Sequence, residues 1–210
     1  MYYVVQYIYG ECMGATIKIS KDMILEAAFS ITRDNGIEKV SNREIAKKLN
    51  SSIRPIYYQF KNSEDLLLCL YKKINDYFYK YILSNMNDSL PKYKQVGINY
   101  IKFAREEKNF YQVLFINKNC NLQTFHYNDN DNNFDKVKDF IKRSTNLSDK
   151  DINEFHFRMW TFCHGLATLL ASEKINLTDA QINNLVSKQF QALMLLEDNP
   201  NNKYVLKEEN

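Results

Sequence analysis

Residues 41–60 read SNREIAKKLNSSIRPIYYQF. The stretch holds two helical patterns separated by a few polar residues. Each is about two turns long, too short to be stable alone in water. Ser41 to Glu44 spells S-x-x-E, a capping box, and opens a helix over Ile45, Ala46 and Leu49. Asn50, Ser51 and Ser52 form a turn. The second helix, expected over Ser52 to Phe60, buries Ile56 and Phe60 and carries Pro55 in its first turn, where the missing N–H does no harm. Arg43, Lys47, Lys48, Arg54 and Lys61 stand here against Glu44 alone. A short helix, a tight turn and a second short helix is the helix-turn-helix arrangement, whose second helix enters the DNA major groove. In that reading the two helices are held by packing on their neighbours. Their outer face offers Ile53, Arg54, Tyr57, Tyr58 and Gln59 to a partner. Arginine can read guanine, and tyrosine hydroxyls can hold phosphate. A solvated helical hairpin is the competing reading of the same spacing.

Working outward, the pattern stays helical. Ser20 caps a helix over Ile24, Ala27, Ala28 and Ile31 that closes at Asn35 and Gly36. Asn62 caps a long helix over Leu66, Leu70, Ile74 and Phe78. Further helices are expected from near Pro91 through Phe103, over Phe110 to Ile116, and over Phe134, Val137 and Ile141. Two longer ones follow: Ser148 opens one to about Ser172, and the capping box Thr178 to Gln181 opens the last, to about Leu196. The 210 residues include only five glycines and three prolines, too few for the turns of a sheet-rich chain. The expected fold class is therefore all-α. The chain is 45% hydrophobic and 25% charged, normal for a globular protein, and its net charge of +3 does not by itself imply nucleic acid.

Other chemistry finds little support. His156, Cys163 and His164 share one helix, but no carboxylate–histidine pair at ligand spacing accompanies them, so no metal is expected. Asp129 to Asn133 begins like a calcium loop. Phe134 then replaces the turn glycine and Phe140 the bidentate glutamate, so the segment is read as a solvated loop. There is no GxSxG, P-loop or GxGxxG motif, and three histidines leave little material for acid–base work. No enzyme and no cofactor are expected. Cys12, Cys69, Cys120 and Cys163 form no CxxC pair and read as reduced thiols in a cytoplasm. Residues 1–14, MYYVVQYIYGECMG, are apolar but too short to span a bilayer, which needs about 20 residues. They read as a loosely ordered arm or, with Met13 as the true start, as no part of the native chain.

The run from Ile24, ILEAAFSITRDNGIEKVSNREIAKKLNSSIRPIYYQFKNSEDLL, resembles the N-terminal domain of the TetR (tetracycline-repressor-like) transcriptional regulators. The matching features are the IL-AA-F run, the Gly36 break, the R-E-I-A start of the second helix, and I-Y-Y-x-F followed by K-x-x-E-D-L. WTFCHGLATLLAS, from Trp160, is similar to a W-x-x-x-H-G-L-A stretch in the C-terminal domains of many such regulators. Two positions depart from the family: Asn50 and Ser51 stand where glycine and a β-branched residue are usual, and Ser63 where lysine is usual. By resemblance, Ser52, Ile53, Arg54 and Pro55 face bases, while Ser41, Arg43, Tyr57, Gln59 and Lys61 face phosphates. The resemblance also implies a homodimer through the last two helices, an operator of double-stranded DNA, and a small-molecule effector that releases the repressor. Phe103, Phe110, Tyr111, Phe115, Phe157, Trp160 and His164 are the candidate effector contacts, although such rings are as readily core. The expected division is 1–16 arm, 17–64 DNA-binding domain, 65–197 effector and dimerisation domain, and 198–210 polar tail. A non-transcriptional TetR-like DNA-binding protein, or a helical ligand-binding protein or enzyme without DNA binding, are the alternatives.

Overall fold

The computed structural model describes residues 18–84, 86–88, 90–117, 132–145 and 147–197. The N-terminal arm, the loop through Asp129 and Asp131, the tail from Asp198, Cys12 and Cys120 lie outside the described residues. Within them the secondary structure is helical: α1 (Lys21–Asn35), α2 (Asn42–Lys48), α3 (Arg54–Gln59), α4 (Ser63–Ile82), α5 (Lys92–Glu106), α6 (Lys108–Phe115), α7 (Asn132–Ser144), α8 (Asp149–Ala171) and α9 (Asp179–Glu197), with a single 3-10 turn at Ile37–Lys39.

The helix ends follow from their caps. Ser20 accepts from the Met23 N–H at 3.2 Å, and Asn62 Oδ1 from the Asp65 N–H at 2.8 Å. Thr178 and Gln181 form both halves of a capping box, with the Thr178 N–H donating to Gln181 Oε1 at 2.8 Å and the Gln181 N–H to Thr178 Oγ1 at 3.3 Å. Ser148 precedes α8 but does not cap it with its side chain; its hydroxyl instead donates to Asp151 Oδ2 at 2.5 Å. α7 starts at Asn132, two residues ahead of the Phe134 start expected from the apolar pattern. At the end of α1, Gly36 takes φ 88° and its N–H returns to Thr32 O at 2.9 Å. A Cβ there would come within 2.7 Å of Glu38 Oε2, a side-chain end that can swing aside, so it is the backbone conformation that calls for glycine.

Helices α1–α3 form one small unit. Ile24, Ala28, Ile45, Ile56 and Phe60 are buried in it, and Lys21 Nζ caps the Phe60 ring at 4.9 Å. α4 is one continuous rod of 20 residues that packs on α1 at one side and on α5 at the other. It therefore runs straight through the expected division at residues 64 and 65. α5 is sandwiched between α4 and α8, and α9 covers the far side of α5 and α8. The rings of Phe29, Tyr77, Phe103 and Phe110 weld α1 to α4, α5 and α6, with Phe29 to Phe110 centroids 4.5 Å apart. Glu107, at the elbow between α5 and α6, is buried and receives Arg33 of α1 as a two-pronged ion pair, one prong being Nε to Oε2 at 2.9 Å and the other Nη2 to Oε1. The Tyr77 hydroxyl donates to the same carboxylate at 2.8 Å, and Asn109 Nδ2 donates to Arg33 O at 2.8 Å.

Candidate DNA interface and effector cavity

The turn between α2 and α3 is built by hydrogen bonds that close α2. The Ser51 N–H reaches Ala46 O at 2.9 Å and the Asn50 N–H reaches Lys47 O at 3.2 Å. That is the Schellman pattern, which needs a left-handed residue, and Asn50 supplies it with φ 51°. Asparagine adopts this conformation more readily than other residues with a side chain. Ser41 Oγ accepts from the Glu44 N–H at 3.2 Å and fixes the start of α2. α3 begins at Arg54 without a side-chain cap, so Ser52 and Ile53 belong to the turn rather than to the helix.

With Ile45, Ile56 and Phe60 directed inward, the other side of α3 is left to solvent. Tyr57 is 62% exposed and Tyr58 85%, and Ile53, Arg54 and Lys61 are exposed with them. Pro55 and Gln59 are half-buried, while Ser41, Arg43 and Ser52 are exposed. Of the ten candidate contacts, eight are thus exposed and two, Pro55 and Gln59, half-buried. Among the described residues, none of Arg43, Arg54 and Lys61 carries an ion pair within the chain. Uncommitted cations beside exposed phenols are the groups a phosphate backbone attracts.

The second site is a partly open cavity of about 60 Å³ bordered by four helices. α4 contributes Phe78, Tyr79 and Ile82. α5 contributes Tyr93, Val96, Gly97 and Tyr100. Val137 closes it from α7, and His156, Met159, Trp160 and Cys163 from α8. Two tyrosine–histidine pairs tie α5 to α8: Tyr93 to His156 Nδ1 at 3.0 Å, and Tyr100 to His164 Nδ1 at 2.9 Å. The Tyr111 hydroxyl lies 3.1 Å from the same His164 nitrogen and 2.9 Å from Thr168 Oγ1. Burial holds the His164 imidazole below its ordinary value and so in the neutral form. It pushes the Cys163 thiol up to about 12, and raises the Tyr93 and Tyr100 phenols well above their ordinary value.

Of the seven residues proposed from the sequence as effector contacts, Trp160 lines this cavity, and His164 stacks on it with centroids 4.9 Å apart. Phe103, Phe110 and Tyr111 are fully buried in the ring cluster, and Phe115 packs against Tyr100 and Phe78. Phe157 faces outward, 48% exposed. Tyr93, Tyr100, Met159 and Cys163 were not singled out as contacts. The helical spacing of Tyr93 and Tyr100, and of Met159 and Cys163, was visible; which of several apolar faces borders a void was not.

Residues 24–70 match the family model of bacterial regulatory proteins, tetR family. The match is confined to that stretch, less than a quarter of the chain. Solved structures match the fold over 82–84% of the chain. A TetR-family transcriptional regulator from Vibrio parahaemolyticus superimposes with a TM-score of 0.59 at 16% identity, covering 82% of this chain and 97% of that one. One from Haemophilus influenzae gives 0.55 at 17% identity over 82% and 94%. The dihydroxyacetone kinase operon activator DhaS gives 0.51 at 16% identity over 84% and 95%. No curated protein sequence matches the chain. The matched stretch covers α2, the turn and α3 entirely, so the exposed residues of α3 lie inside it, whereas the cavity lies beyond its end at residue 70. Among the described residues, no helix is long and apolar enough to cross a membrane.

Proposed function

We propose that the protein is a homodimeric, sequence-specific DNA-binding transcriptional regulator that a small molecule releases from its operator. The single observation that carries the reading is the outer face of α3: an arginine and two exposed tyrosines on a short helix, with a lysine just past its end, whose opposite face is locked into a core. Ser52, Ile53, Arg54 and Pro55 meet base edges, with Tyr58 on the same outer face, while Ser41, Arg43, Tyr57, Gln59 and Lys61 hold the backbone. Residues 17–64 act as the reader and residues 65–197 as the sensor and dimerisation unit. α4 carries the cavity wall at one end and the reader at the other.

The dimer reading rests on an unpartnered apolar line on α8 and α9. Phe157, Thr161, Gly165 and Leu169 follow one another at four-residue spacing along α8, and Leu195 stands 69% exposed on α9. A Cβ on Gly165 would meet nothing within 4 Å, leaving that helix open to close approach. Two copies joined here would present two α3 helices to a near-palindromic site.

Repression is the favoured sign of regulation. The likeness to DhaS, which is an operon activator, makes activation the second reading. A mobility shift with the DNA upstream of the protein's own gene tests DNA binding, and a reporter on that DNA with and without the protein tests the sign. Light scattering at micromolar concentration tests the dimer. A clean monomer, or equal binding to upstream and scrambled DNA, overturns the proposal.

A further inference from the structure

The cavity between α4, α5, α7 and α8 also carries information on what enters it. Among the described residues, no Asp, Glu, Lys or Arg lines it. Its walls are rings and aliphatic groups, chiefly Phe78, Tyr93, Tyr100, Met159 and Trp160. We propose that the effector is an uncharged compound of at most one aromatic ring bearing a single hydroxyl, held by the Tyr93–His156 pair. The proposal rests on the sensor reading given above.

Charge is the first discriminator. An anion entering the cavity would leave its water and find no lysine or arginine among the described lining residues. The nearby His164 imidazole cannot supply a positive charge at neutral pH, since burial favours its uncharged form. A cation would find ring faces, but their attraction is several-fold smaller than the cost of dehydrating a buried ion without a carboxylate. Size is the second. A cavity of about 60 Å³ holds only a few waters. That is under half of the roughly 150 Å³ of an apolar cavity that accepts benzene, so a single ring is the upper bound and enters only as the flanking side chains yield, and a drug-sized molecule does not fit. The hydroxyl follows from the handles. Each phenol has one O–H and two lone pairs. Tyr93 meets His156 at 3.0 Å through a hydrogen bond that leaves acceptor capacity on the phenol oxygen, whereas the Tyr100 hydroxyl is shared among His164, Tyr111 and Trp160. A ligand hydroxyl can donate to the Tyr93 oxygen; an alkyl group cannot.

The test uses three probes with the same ring and different heads: benzyl alcohol, benzoate and benzylammonium. Binding is read by thermal shift and ligand-observed NMR on the full chain. Benzyl alcohol is expected to bind roughly tenfold or more tighter than either ion. Val137→Phe, which fills the cavity from α7, is expected to abolish its binding. Gly97→Ala is the milder alternative if that variant does not fold, because its new Cβ would sit 3.2 Å from Cys163 Sγ at the cavity wall. Tyr93→Phe should weaken benzyl alcohol but not toluene. The assignment is overturned if either ion binds as well as the alcohol, if the alcohol does not bind, or if the filled variant binds it unchanged. Binding of the alcohol with no loss of operator affinity would leave the cavity assignment standing and sink release by a ligand.

Discussion

Arg54 is the first residue of a six-residue helix and points away from the core that holds that helix in place. Its replacement by Ala is expected to cost about 1–3 kcal/mol on the preferred operator and to relax choice at one position. Lys61→Ala should instead weaken all DNA alike and flatten the salt dependence by about 0.9 in log–log slope. Both side chains are solvent-facing, so melting should barely move in either variant. Titration of operator and scrambled DNA at several salt concentrations separates the two roles, and wild-type binding by both variants removes α3 as the reader. Asn50 makes a different kind of contribution. At φ 51° it holds a backbone conformation that costs an alanine roughly 1 kcal/mol. Asn50→Ala is therefore expected to lower stability by about that amount in urea denaturation, while Asn50→Gly stays close to wild type. Equal midpoints for the two variants would show that the turn does not depend on this residue. Both residues were legible in the sequence, Arg54 from the spacing of Ile56 and Phe60 opposite it, and Asn50 from its place where the resembling family has glycine.

At the scale of elements, the starts of helices with side-chain caps could be read and the start of α3 could not. Ser20, Ser41, Asn62 and Thr178 each accept a backbone N–H in the positions their spacing suggests. α3 has no such cap, and it starts at Arg54 rather than Ser52 because Ile53 offers no acceptor and the Schellman turn consumes the residues before it. The Arg33–Glu107 pair is an element-scale feature that no local pattern announces, since its partners are 74 residues apart. It fastens α1 to the elbow between α5 and α6 and so ties the reader to the helices around the cavity. Arg33→Ala leaves a buried carboxylate with the Tyr77 hydroxyl as its remaining donor of this group, and is expected to cost about 1–3 kcal/mol of stability. Combining it with Glu107→Gln should recover part of that loss, because the stranded charge is gone. Chemical denaturation of the two single variants and the double variant measures the coupling. Strictly additive losses would mean the pair contributes nothing as a pair.

For the whole molecule, the half-buried His164 sets a dependence on acid. Its imidazole is held below the ordinary value by burial, so the unfolded chain takes up that proton first as the pH falls. The stability it contributes is full above about pH 6.5 and is lost as the pH drops through the lower folded value. Melting at about pH 7.5 and about pH 5.5 should show a fall that is smaller in His164→Gln; an unchanged fall assigns the effect to other groups. The sequence by itself determined the helical class, the order of the elements and the outward face of α3. Each of these follows from residues within a few turns of one another, through spacing, caps and the scarcity of glycine and proline. Only the tertiary structure decided which rings are core and which border a void. Phe103, Phe110 and Trp160 have the same apolar character and the same helical spacing in the chain, yet the first two are sealed in the α1–α4–α5–α6 cluster and the third faces the cavity. Burial of a ring is a property of the helices that meet around it, and those meetings join residues tens of positions apart, which a local periodicity does not encode.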